Sequence, residues 1–194
     1  MADRLNSNLK TQLERYRTNE RRNQTILGRV LLAVALGRLG AKVELEDLGR
    51  EPGGEPIVPV GYYGSISHTD GVVGAIAARN LAIGLDLEHR WQSFSAVEPF
   101  LPANRCDHHA DSCDCAARAW VATEAIAKAA RRPLFADPDA VPILDVPGQT
   151  TQPWSVSTLE IADGLFAAIA SALPIQSVTP IWLTRAQLLK YVGT

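Results

Sequence analysis

Ile26, Leu27, Val30, Leu31 and Val34 recur at three- and four-residue steps. That period predicts one core-facing helix over residues 13–40, with Thr25 as its N-cap and Gly37 and Gly40 closing it. Residues 49–56 hold three glycines and two prolines, which withdraw regular backbone pairing and predict a loop. The pattern then changes to short apolar runs at 63–68, 72–79 and 82–88. Turn signals at Thr69-Asp70-Gly71 and Arg79-Asn80 separate them, as in an antiparallel meander. Helical spacing returns over 116–131, with Trp120, Ala127 and Ala130 toward a core and Pro133 as the stop. Two further strands, 154–161 and 165–172, and a short helix, 184–191, complete the chain.

The run beginning Asp70-Gly-Val-Val-Gly-Ala-Ile-Ala-Ala is echoed by Asp163-Gly-Leu-Phe-Ala-Ala-Ile-Ala-Ser. A duplicated αβ unit explains the echo, as does a turn and small-apolar strand arising twice by chance. Duplication predicts an α+β fold of two similar αβ halves.

Composition narrows the classes. The 194 residues are 46% hydrophobic and 21% charged, the profile of a globular chain. A formal charge of -2 supplies no basic field, so nucleic acid is not the expected partner. The apolar stretch 30–36 is too short to span a bilayer and is bracketed by Arg29 and Arg38. Asp3, Glu14 and Glu20 near the start argue against a secretory or organelle leader. Three cysteines imply no disulfide framework, so the expected compartment is the cytoplasm.

Three places carry candidate chemistry. In a strand over Ile83-Gly-Leu-Asp86-Leu-Glu88, alternation puts Asp86 and Glu88 on one face, opposite Ile83, Leu85 and Leu87. Two close carboxylates repel unless a cation lies between them, and oxygen donors suit Mg²⁺; a solvated strand edge is the plainer alternative. On the second helix Glu124 and Lys128 are four apart and share a face. They form either a surface ion pair or a third carboxylate beside a phosphate-facing cation. His68 closes a strand before a tight turn, where it and Ser67 offer donors to an anion or simply satisfy a local carbonyl.

Taken in order, Ser67-His68-Thr69-Asp70-Gly71, then Gly84-Leu-Asp86-Leu-Glu88, then Trp120-Val-Ala-Thr-Glu124-Ala-Ile-Ala-Lys128 resemble three signature segments of the 4'-phosphopantetheinyl transferases. The resemblance covers residues 10–135. In length the chain is similar to the surfactin-synthetase-activating type, a pseudo-dimer of two αβ halves with the active site in the cleft between them. The resemblance implies halves of residues 1–97 and 98–194 here, joined in one compact monomer.

The resemblance implies a set of roles. Coenzyme A occupies the cleft, and Asp86, Glu88 and Glu124 carry Mg²⁺ at its diphosphate. A serine hydroxyl of an acyl or peptidyl carrier protein attacks the β-phosphate, with Glu124 as general base and Lys128 assisting departure of 3',5'-ADP. His68 and Ser67 hold a coenzyme phosphate, Thr25 lies near the adenine end, and Arg15 and Arg17 are candidates for the 3'-phosphate. The sequence departs from the family at Thr123 and Glu55, where lysine is common. Arg131 and Arg132 are possible replacements for that charge, and a coenzyme-A-binding homologue without turnover is the alternative. The run Cys106-Asp-His-His-Ala-Asp-Ser-Cys113-Asp-Cys115 lacks paired Cys-x-x-Cys arms and reads as an acidic loop rather than a zinc site.

Overall fold

Thr18, and not Thr25, opens the long helix. In the computed structural model, which describes residues 7–90, 113–132, 154–184 and 186–188, Thr18 is extended (φ -113°, ψ 145°). Its hydroxyl accepts the Arg21 N–H at 3.3 Å. The expected single helix is therefore two, α1 (Ser7–Arg15) and α2 (Asn19–Arg38). A capping hydroxyl accepts from one of the orphan N–H groups of a new helix start, so a Thr in a polar stretch ends one helix and begins the next. Thr25 lies inside α2, where its hydroxyl donates to the Arg21 carbonyl at 2.9 Å. At the far end Gly40 takes φ +85° and the Ala41 N–H returns to the Leu36 carbonyl at 3.0 Å.

The strands fall within a residue or two of the expected positions: β1 (Tyr62–Thr69), β2 (Val72–Arg79), β3 (Ile83–His89), β4 (Ser155–Ala162) and β5 (Leu165–Ser171). Their pairing differs from a meander. β1 and β2 form an antiparallel hairpin, whereas β3 leaves it and pairs antiparallel with β5 in a sheet ordered β3-β5-β4. The echoed segments both fold as hairpin turns into a strand, with Gly71 at φ +69° and Gly164 at φ +65°. These are conformations that glycine adopts without a Cβ penalty.

Along the seam between the two sheets, side chains replace a backbone ladder. The Leu85 N–H donates to Ser65 Oγ at 3.0 Å and the Leu87 N–H to Ser67 Oγ at 3.1 Å. Two steps along β1 match two steps along β3, so the strands run in the same direction. Buried N–H groups on that edge of β3 are thereby satisfied.

Helix α3 (Cys113–Ala129) lies on the face of β3 and β5 built from Gly84, Phe166, Ala168 and Ala170. Ile83, Leu85, Leu87, Ala167 and Ile169 pack on the opposite face against Tyr63, Val72, Ile76 and Ala78 of the hairpin. α2 covers the hairpin's outer side through Leu32 and Leu36 on Ile66, Ala75 and Ala77. The result is α+β, small antiparallel sheets packed with helices. Among the described residues no helix is long and apolar enough to cross a membrane.

The end of the chain crosses back over these layers. Ile175 packs against the β3–β5 cluster, and Leu183 and Leu188 against Leu9, Leu13 and Val30 of the first two helices. Thr184 and Gln187 exchange hydrogen bonds as a capping box, at 2.8 and 3.3 Å, starting the expected last helix. Residues 189–191 of that helix, and 106–112 of the Cys/His run, lie outside the described residues.

Candidate active site

Asp86 and Glu88 do project from β3 on one face, and that face is the one α3 covers. Gly84 sets the approach: a Cβ there would lie 2.0 Å from the Ala125 carbonyl oxygen and 2.6 Å from the Ala129 nitrogen. With no side chain at Gly84, and alanines at 168 and 170 on β5, the helix backbone rests almost on the sheet. Lys128 consequently reaches across, not along its helix, to Asp86 Oδ1 at 2.6 Å. The expected i,i+4 surface pair of Glu124 and Lys128 is not among the ion pairs formed by the described residues. A carboxylate buried as deeply as Asp86, 6% exposed, needs a counter-charge more than a half-exposed one does.

Ser67 sits at the centre. Its hydroxyl donates to Asp86 Oδ1 at 2.8 Å and accepts from Lys128 Nζ and the Leu87 N–H, both at 3.1 Å. One donor and two lone pairs are all used. Ser67→Ala strands the Leu87 N–H and takes one partner from buried Asp86. The expected cost is about 1–3 kcal/mol in urea unfolding. A variant as stable as the wild type would mean that water replaces the hydroxyl at no cost.

Glu88 is held by the Thr69 hydroxyl at 2.7 Å and the His89 N–H at 2.9 Å, both on Oε1. Glu124 makes no hydrogen bond or ion pair with the described residues. Burial holds its carboxyl above the usual range, and the charges of Asp86 and Glu88 push it further up while Lys128 opposes them. The three carboxylates thus share one electrostatic neighbourhood. They are not drawn together into a ready ligand set: among the described residues no three His, Cys, Asp or Glu side chains are grouped so as to hold a metal ion.

A basic group adjoins the acidic one. His68 is half-buried, and its Nδ1 lies 3.3 Å from Arg21 Nη1. Guanidinium only donates, so Nδ1 accepts and a neutral imidazole carries its proton on Nε2. Burial, then Arg21 and then Lys128 hold the His68 pKa below its ordinary value, against weaker opposition from its own backbone hydrogen bond and from Asp86.

Arg21 was not among the sequence candidates. It lies one turn before Thr25, and that helical spacing is the signal that points to it. Arg15 and Arg17 are exposed at the α1–α2 junction and make no hydrogen bond or ion pair with the described residues. Thr123 is buried with its hydroxyl donated to the Ala119 carbonyl at 2.8 Å. Arg131, at φ +55°, stands over the Tyr63 ring 5.9 Å from its centroid. A cleft of about 490 Å³ begins one residue beyond Lys128, between Ala129–Arg131 and the segment 56–63.

Residues 12–78 match the family model of the 4'-phosphopantetheinyl transferase N-terminal domain. Over these residues the chain is similar to the 4'-phosphopantetheinyl transferases. Phosphopantetheine transfer is the general activity of that family. The matched residues take in α2, β1 and most of β2, and with them Arg21, Thr25, Ser67 and His68. Asp86, Glu88, Glu124 and Lys128 lie beyond the match, so their grouping rests on the geometry described above. No curated protein matches the chain.

Proposed function

We propose that this transferase moves the 4'-phosphopantetheine group from coenzyme A to a serine of an acyl or peptidyl carrier protein, with Mg²⁺ as cofactor. The observation that carries the reading is the junction of two charged groups. Asp86, Glu88 and Glu124 repel one another around Lys128 on one side, and Arg21 and the donor-bearing His68 lie on the other. A diphosphate bound to a divalent cation answers both sides at once.

Three carboxylates with a single lysine among them leave negative charge in a half-buried place, and their oxygens are the donors that a hard cation takes. Asp86, Glu88 and Glu124 would hold the ion. When bound, it supplies neutralisation of the charge that grows on the diphosphate. The serine oxygen forms a bond to the β-phosphorus, and the bond from that phosphorus to the bridging oxygen breaks. The electron pair leaves with 3',5'-ADP, and the serine proton passes to Glu124. A carboxyl held above its usual range is a better base near neutral pH. Lys128 steadies the leaving oxygen, and His68 and Ser67 bind a coenzyme phosphate. Arg15, Arg17 and Thr25 are assigned to the nucleotide end.

We assign the chain to the surfactin-synthetase-activating type, with halves 1–97 and 98–194. In support, Asp86 and Glu88 come from the first half, while Glu124 and Lys128 come from the second. The reading is tested by intact-mass analysis of a carrier protein incubated with coenzyme A, Mg²⁺ and this chain. The expected result is a carrier heavier by one phosphopantetheine group. Coenzyme binding without that gain, across the carriers of the source organism, would make it a binding protein and not a transferase.

A further inference from the structure

Arg29 of α2 is 5% exposed, yet its Nε has no hydrogen-bond partner and none of the described residues offers its guanidinium a carboxylate. Its charged surroundings make matters worse. Burial and then Arg50 lower its pKa to about 10, with only Tyr16 opposing, so it stays cationic at neutral pH. An isolated buried charge is a strong penalty that folding alone does not require. The adjacent positions Ile26, Leu27 and Val30 fill the neighbouring cluster with apolar side chains.

The second guanidinium is held in place by its loop. Arg50 Nε donates to the Gly54 carbonyl at 2.9 Å. Gly54 is at φ +107°, where a Cβ would lie 2.7 Å from Arg50 Nη2. The loop therefore fixes a cation whose charge acts on Arg29. Arg29 lies eight residues beyond Arg21, about 12 Å along the helix, so this pair is separate from the cluster at His68.

We propose that Arg29 and Arg50 together bind a phosphate group, forming a second anion site on α2. Guanidinium forks match phosphate oxygens two at a time, and a monoester dianion balances two cations. The inference stands on the orphaned guanidinium; only the coenzyme arm of its test rests on the transferase reading.

The test is thermal unfolding of the full chain and of Arg29→Met, in phosphate-free buffer and then with inorganic phosphate, coenzyme A or 3'-dephospho-coenzyme A. Without anions the variant is expected to melt at or above the wild-type temperature, because an apolar side chain replaces an uncompensated charge. Inorganic phosphate is expected to raise the wild-type midpoint by about 2–4 °C and the variant's by less than half as much. Arg29→Lys should keep part of the shift. A coenzyme shift that exceeds the dephospho form's only in the wild type would identify the coenzyme's own phosphate as the occupant. Equal shifts from the two, beside an Arg29-dependent phosphate response, would identify free phosphate. Equal phosphate shifts in wild type and variant, or an anion-free variant well below wild type, would overturn the proposal. An Arg29-dependent phosphate shift in a chain that binds no coenzyme A would leave this site standing and overturn the transferase reading.

Discussion

Glu124→Gln is expected to reduce phosphopantetheine transfer by a factor on the order of a thousand or more, while the ligand-free fold becomes no less stable. The loss follows from removing the proposed proton acceptor and one of three carboxylates assigned to the cation. The stability half follows from the site's electrostatics. Burial, Asp86 and Glu88 together hold the Glu124 carboxyl above its usual range against the single opposing charge of Lys128. The folded chain therefore keeps this proton more tightly than the unfolded chain does. Stability from that group is complete below the unfolded carboxyl pKa and is lost as pH rises through the folded one. Near neutral pH the carboxylate destabilises the fold, and glutamine removes that effect. Urea unfolding across acidic to neutral pH checks it: the variant's advantage should shrink on acidification. Full activity would end the base assignment, and marked destabilisation at neutral pH would end the electrostatic account.

Gly84→Ala is expected to cost about 3 kcal/mol or more and to remove activity with it. Its new Cβ would meet the Ala125 carbonyl oxygen and the Ala129 nitrogen, both backbone atoms of α3, at 2.0 and 2.6 Å. Backbone has no rotamer to escape into, so α3 must lift from β3 and carry Glu124 and Lys128 away from Asp86. Gly28 is the instructive contrast. There an added Cβ meets Ile66 Cγ2 at 2.6 Å, a side chain that can turn, and alanine also favours the helix. Denaturant midpoints should show a much larger loss for Gly84→Ala than for Gly28→Ala. Equal midpoints would mean that α3 is not held by this close approach.

Much of the local structure was legible along the chain. Short apolar runs between turn signals placed the strands, two-residue alternation put Asp86 and Glu88 on one face, and Asp-Gly pairs marked both hairpin turns, because these properties depend on residues a few positions apart. The helix start at Thr18 was missed because the apolar spacing runs on past it, while a cap is a single hydrogen bond that leaves no period. The family segments were readable as well, since they are contiguous.

Partners distant in sequence were decided only in three dimensions. Alternation says which side of β3 faces a core, but not that its ladder goes to β5 and its other edge to Ser65 and Ser67. Helical spacing made Lys128 a neighbour of Glu124. The fold gave it to Asp86, because Gly84 lets the helix come close and the deeper carboxylate has the greater need of charge. Helical spacing points to Arg21 but not to its contact with His68, and the effect of Arg50 on Arg29 likewise arises only across elements. Sequence periodicity reports which way a side chain leaves its own element, and electrostatic and steric demand across elements selects what it then meets.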